Sequence, residues 1–185
     1  MILIVSTCSD KLSEAEFVEP VLAIVSGKRL DERVSIAAFD SISDKERISA
    51  LAQSAERIII CGTALKDFEY LAVDWSWLCN VRVPVLGICA GAHAIAKSCR
   101  VSLSEDLAIG PCLVKVLKEN PLLSSDSSAY FLHQKSVDNS DEMFISLAFR
   151  EGRACLLKRK DLPHYLCLFH PEVLNPDIVE NFLKL

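Results

Sequence analysis

Glycine is scarce in this chain, 6 residues in 185, and aromatic residues make up only 7% of it. Positive charge is in deficit: 20 Lys and Arg face 25 Asp and Glu, a formal net charge of -5. That balance argues against a nucleic-acid surface, and the densest basic run, Lys158-Arg159-Lys160, is short enough to be a solvated turn. No apolar stretch approaches the roughly 20 residues of a membrane span, so no membrane association is expected. The opening MILIVSTCSD lacks the positive region and cleavage pattern of a signal peptide. The eight cysteines show no CxxC spacing and no companion histidine cluster. They read as intracellular thiols, neither a disulfide framework nor a structural zinc site, and a cytoplasmic protein is expected.

What the chain has is apolar substance. It is 51% hydrophobic and 24% charged, enough to bury a real core. Its length fits one domain over 1–185, with no repeat, linker or low-complexity segment. Continuously apolar runs at 2–6, 34–39, 57–61 and 83–88 read as buried strands. Between them, helical spacing runs over 13–25 (stopped by Gly27), 44–54, 67–78 and 90–98. Strands that are apolar throughout, alternating with helices, predict an open, mostly parallel sheet flanked by helices, a flavodoxin-like α/β fold. After Arg100 short strands at 112–117, 129–133, 143–149 and 153–158 follow without long helices, which predicts a small antiparallel insertion. A buried strand at 165–169 and a helix at 176–183 close the chain.

Two of the six glycines bracket one cysteine in VPVLGICAGAHAIAK, where strand should become helix. A sharp strand-to-helix turn crowds its neighbours, so Gly87 and Gly91 supply room that a merely packed cysteine would not need. The turn projects the side chain of Cys89 at the carboxyl end of a strand, where open α/β sheets bind ligands. It also sets the sulfur at a helix N-terminus, whose partial positive charge favours a thiolate. A nucleophilic thiol needs a base and a group to orient it. Of four histidines, His170 follows the buried strand YLCLF, and Glu172 stands two residues on in FHPEV. Pro171 stiffens the bend between them. Cys89, His170 and Glu172 are the expected catalytic triad; His133 and His164 can equally be packing or surface histidines.

GICAGAH followed by FHPEV resembles the class I glutamine amidotransferases, whose nucleophile elbow and His-x-Glu pair occur in this order. RIIICGTALKD is similar to their oxyanion segment and YFLHQKSV to the strand lining their glutamine pocket. Nearly the whole chain is covered, and free-standing glutaminase subunits, those of archaeal GMP synthase among them, look most similar. The resemblance implies a single amidotransferase-like domain in which Cys89 attacks the glutamine side-chain amide, forming a γ-glutamyl thioester and releasing ammonia. His170 would serve as acid and base, and Glu172 would hold it. Gly62, Thr63 and Ala90 would form the oxyanion hole, and His93, His133, Gln134, Lys135 and Ser136 would bind substrate. Neither metal nor cofactor is implied. With no Gly-x-x-x-x-Gly-Lys phosphate loop in the chain, a separate synthetase subunit should accept the ammonia.

Three positions depart from the family pattern. His93 stands where Gln is usual, Cys61-Gly62-Thr63-Ala64 carries one glycine instead of two, and Lys135 stands where a small or acidic residue is common. The first and third leave open a stand-alone hydrolase of a γ-glutamyl or related amide. A binding or regulatory module with a weak site is the non-enzyme alternative.

Overall fold

The structure, a computed structural model, describes residues 1–28, 33–138 and 142–185. The first strand, β1 (Ile2–Val5), is wholly buried. Helices α1 (Lys11–Phe17) and α2 (Glu19–Lys28) follow, then β2 (Val34–Ala37), α3 (Phe39–Ile42), α4 (Lys45–Ser54) and β3 (Arg57–Ile60). After β3 come two 3-10 turns (Glu69–Ala72 and Ser76–Asn80), β4 (Val85–Ile88) and α5 (Ala90–Ser98). The second half contains β5 (Leu103–Val116), β6 (Ser127–Val137), β7 (Phe144–Arg150), β8 (Arg153–Arg159), β9 (His164–Cys167), α6 (Pro171–Leu174) and α7 (Pro176–Phe182).

Among the described residues, nine strands form one sheet in the order β2-β1-β3-β4-β9-β8-β7-β5-β6. The five strands from β2 to β9 run parallel, and every pairing from β9 to β6 is antiparallel. The sheet is therefore mixed, not mostly parallel. The antiparallel part is a full extension: β9 pairs with β4 on one side and β8 on the other, joining the halves without a break. The short strand expected at 112–117 is the end of the 14-residue β5. Helices α1, α2, α6 and α7 pack together, and α3, α4 and α5 gather with the 3-10 turns.

Two helices differ from the sequence expectation. The stretch 13–25 is two helices, because Pro20 lacks an N–H and its ring crowds the preceding turn. Gly27 lies inside α2, not at its stop. The stretch 67–78 folds as 3-10 turns, because Asp67 and Asp74 accept hydrogen bonds from the backbone N–H of Glu69 and Ser76. Such local bonds compete with the helix ladder. Trp75, nearly fully buried, fastens the segment by donating its Nε1–H to the Tyr70 carbonyl (2.8 Å).

This arrangement sets β4 between β3 and β9. The strand ends that carry Gly62, Cys89 and His170 are thereby brought side by side.

Candidate active site

The elbow at Cys89 is a strained backbone. Its φ of 49° and ψ of -104° lie in a region that non-glycine residues rarely occupy. A conformation of this kind costs about 1–3 kcal/mol and persists only where its surroundings enforce it. The enforcement is visible: the Cys89 N–H donates to the Cys167 carbonyl at 2.7 Å, extending the β4–β9 ladder, and the His93 N–H donates to the Cys89 carbonyl at 3.1 Å. The flanking glycines are obligatory. A Cβ on Gly87 would lie 2.4 Å from the Gly91 carbonyl oxygen, and one on Gly91 would lie 2.1 Å from that of Ile60.

His170 and Cys89 meet over Gly62. A Cβ built on Gly62 would lie 2.7 Å from His170 Cε1 and 3.5 Å from the Cys89 Cβ, so the imidazole fills the space a side chain would take. His170 is held from three sides: its N–H donates to the Tyr130 carbonyl (2.8 Å), the Phe17 ring packs against it, and its Nδ1 meets Glu172 Oε1 at 2.7 Å. Both side chains are almost wholly buried, 1% and 2% exposed. Burial disfavours the charged imidazole. The Cys89 sulfur, foremost, and Glu172 outweigh it and push its pKa up to about 10. The Cys89 thiol itself donates to the Leu132 carbonyl (3.5 Å), and Nε2 of His170 has no regular hydrogen-bond partner among the described residues.

Cys89 also lines a narrow cleft together with Thr63, Ala90, His93, His133, Gln134 and Lys135. Its free volume is about 20 Å³, room for about one water molecule. Gln134 bridges the cleft by donating to the Leu65 carbonyl (3.3 Å), and the Lys135 ammonium lies 5.9 Å from the centre of the Phe68 ring. Ser136 is buried but does not line the cleft.

His93 is locked rather than free. The Lys135 carbonyl can only accept, so His93 Nε2 carries the proton (3.0 Å) and Nδ1 accepts from the Tyr70 hydroxyl (2.8 Å). Burial lowers its pKa to about 4, so it stays neutral. Lys135 forms an ion pair with Glu105, its cross-strand partner on β5. His133 donates Nδ1–H to the Leu168 carbonyl (2.9 Å) and is buried in the cleft wall. His164 is a packing histidine, bonded to the Val81 carbonyl at the far end of β9.

Some parts of the site escaped the sequence reading. Asp67 Oδ2 accepts from the Ser9 N–H (2.8 Å) and the Thr63 hydroxyl (2.7 Å), pinning the turn after β3 to the loop after β1. Only its position in TALKD, four residues past Thr63, hinted at a turn-binding carboxylate. Tyr70 gave no local signal, because its partner lies in a distant helix.

No protein-family model matches the sequence. Among curated proteins the chain is similar to one subunit of the glutamine-hydrolyzing GMP synthase of Methanococcus aeolicus, 32% identical over 119 residues, covering 57% of this chain and 61% of that one. The corresponding subunit from Methanocaldococcus jannaschii is 32% identical over 115 residues with the same coverage. The glutamine-hydrolyzing GMP synthase of Campylobacter jejuni is 27% identical over 111 residues, and the match spans only 22% of that protein. The chain thus spans less than two thirds of these relatives. Among solved structures, a Thermoplasma acidophilum protein described as a GMP synthase subunit superposes with a TM-score of 0.81 at 20% identity, covering 99% of this chain and 92% of that one. A glutamine amidotransferase from Thermotoga maritima gives 0.67 at 14% identity, covering 93% and 76%. At these identities the structures establish the fold.

Proposed function

Because the chain belongs to the class I glutamine amidotransferase family, we propose that it is a glutaminase of that family, acting through Cys89, His170 and Glu172 and supplying ammonia to a separate synthetase. The observation that carries this reading is the strained Cys89 elbow set over Gly62 against a buried His170–Glu172 pair. An elbow costing about 1–3 kcal/mol has no packing rationale, whereas it exposes a nucleophile to a base.

The chemistry follows from the geometry. The Cys89 thiolate attacks the side-chain carbonyl carbon of glutamine. The oxyanion is received by the Ala90 N–H, which as the first residue of α5 has no intrahelical acceptor, and by the Gly62–Thr63 turn. The Gly62 carbonyl accepts from the Cys8 thiol (3.5 Å), and across a trans peptide this turns the Thr63 N–H the opposite way, with Thr63 lining the cleft. The His170 imidazolium gives its proton to the departing nitrogen, so that ammonia leaves and a thioester remains. Neutral His170 then takes a proton from water, hydroxide attacks the thioester, and glutamate and the free thiol result. Glu172 holds Nδ1 throughout, keeping Nε2 for the proton transfer. Oxyanion donors of this kind contribute about 10²–10³-fold each, and general acid–base transfer about 10²–10⁴-fold.

Two features favour an enzyme completed by a partner. A free volume of about 20 Å³ will not hold glutamine, and the Gln134–Leu65 bridge closes the cleft. Docking of a synthetase would open it. Lys135 is balanced by Glu105, so the cleft mouth is not the purely cationic site that its position suggests in the sequence. Ammonia release from glutamine by the chain alone, and again with the synthetase and its substrates, tests the proposal: release should be slow alone and rise with the partner. A second reading rests on Lys135 in the cleft wall: an independent hydrolase of an amide bearing a carboxylate but no α-ammonium. Fast hydrolysis of such an amide by the isolated chain, with no gain on glutamine from any synthetase, decides for it.

A further inference from the structure

Behind the cleft lies a buried charge cluster that the mechanism above does not use. Strand β5 bulges where it pairs with β6. Glu105 faces Lys135 and Ala108 faces His133, so Asp106 and Leu107 together stand opposite Gln134. Bulges of this kind re-aim a side chain and recur next to active sites. Asp106 is turned into the protein, 10% exposed, and Arg150 of β7, 6% exposed, donates from one nitrogen to both of its oxygens at 2.8 Å. Arg150 in turn stacks over the Phe131 ring, with its guanidinium 5.1 Å from the centre.

The third member is His133. Its Nδ1–H goes to Leu168, two residues before His170, while the preceding residue on its own strand, Leu132, offers the carbonyl that accepts from Cys89. Its Nε2 faces Asp106 Oδ2 at 3.6 Å, too long for a hydrogen bond, and has no partner among the described residues. A buried imidazole nitrogen left unbonded beside a carboxylate is unfavourable as packing alone. The cluster thus touches both strand segments that position the thiol and its base.

We propose that Asp106, set by the bulge and balanced by Arg150, is a positioning residue of the catalytic centre, acting through His133 on His170. Geometrically, His133 ties the 168–170 strand end to β6. Electrostatically, the Asp106 carboxylate cancels the buried Arg150 guanidinium, which would otherwise oppose positive charge on the imidazoles beyond it. The titratable and charged groups near His133 come from several elements. Asp106 comes from β5, Arg150 from β7, the more exposed Arg153 from β8 (3.7 Å from Asp106), His93 from α5, and His170 follows β9 with Glu172 beyond. Burial lowers the His133 pKa. Asp106 opposes that effect, and Arg150 and His170 reinforce it, which is the coupling the proposal requires.

The proposal rests on the glutaminase reading only for the importance of His170, and its test needs no glutamine. The titration of His170 would be followed by ¹⁵N NMR of histidine-labelled protein, alongside the inflection in the rate at which iodoacetamide alkylates Cys89. Asp106→Asn leaves Arg150 uncompensated and should move both transitions down by about one pH unit. Arg150→Met leaves Asp106 with only the more exposed Arg153 beside it and should move them up. The double variant carries no unpaired charge, a replacement that buried pairs tolerate well, and should return to the wild-type position. Single variants that fold and titrate like the wild type, or that shift in the same direction, overturn the proposal. Failure of both single variants to fold would make the cluster purely structural and overturn it as well.

Discussion

Gly62→Ala is a sharp test of the proposed catalytic geometry, because it adds one methyl group at the contact between turn and base. The new Cβ would lie 2.7 Å from His170 Cε1, about 0.7 Å short of ordinary contact at 3.4 Å. The backbone at Gly62 is not among those with positive φ, so the substitution brings no conformational strain of its own. The ring must move, since it is packed by Phe17 on another side and anchored to Tyr130 through its own N–H. Overpacking of this kind costs about 1–3 kcal/mol, which a protein of this size survives. Moving the imidazole by most of an ångström takes it off the 2.7 Å bond to Glu172 and out of line with Cys89. Misplacement on that scale costs about 10²-fold in rate. The assay pairs ammonia release with a thermal melt. Gly62→Ala should melt cooperatively a few degrees lower and lose about two orders of magnitude in turnover. Near-normal turnover in the folded variant would refute the placement of His170 as the base. Gly87→Ala and Gly91→Ala are the contrast: their clashes are with backbone, and both should fail to fold.

Two further outcomes follow from the same geometry. His170→Ala should abolish ammonia release, whereas Glu172→Gln should lower it less, because the glutamate orients the base without carrying the proton; comparable losses in steady-state assays would contradict that division. Stability should depend on pH on both sides of neutrality. His170, raised to about 10 from 6.5, contributes stability that is complete below about pH 6.5 and is lost as pH rises through about 10. In Cys89→Ala the chief influence raising it is gone, so the alkaline decline in melting temperature should begin at lower pH. On the acid side His93 and His164, both lowered to about 4 by burial, should make stability fall as pH drops from about 6.5 towards 4; a melting temperature flat across that range would contradict their burial as neutral rings.

The parts of the structure legible in the sequence are those set by local pattern. The apolar strands at 2–6 and 57–61 and the elbow of Gly87, Cys89 and Gly91 are short-range signals, and the structure places them as read. FHPEV was legible for the same reason: Pro171 fixes the bend that returns Glu172 to His170. Misread elements depended on distant partners or on competing local bonds. Helical spacing over 67–78 lost to the bonds of Asp67, Asp74 and Trp75. The extent of the antiparallel sheet was hidden because the exposed face of β5 carries Leu107, Ile109 and Leu113, so polar and apolar residues do not alternate along it. The internal partners of His93 and Lys135, Tyr70 and Glu105, gave no signal because they are remote in sequence.

The central claim is that Cys89 is the nucleophile, and its most direct test is to trap the intermediate. The protein, with its synthetase partner present, would be mixed with glutamine, quenched in acid during turnover, digested and examined by mass spectrometry. The expected result is a glutamyl adduct on the peptide containing Cys89, none on peptides carrying the other seven cysteines, and neither adduct nor ammonia from Cys89→Ser. Ammonia released by Cys89→Ser at the wild-type rate, or an adduct carried by a different cysteine, would contradict it.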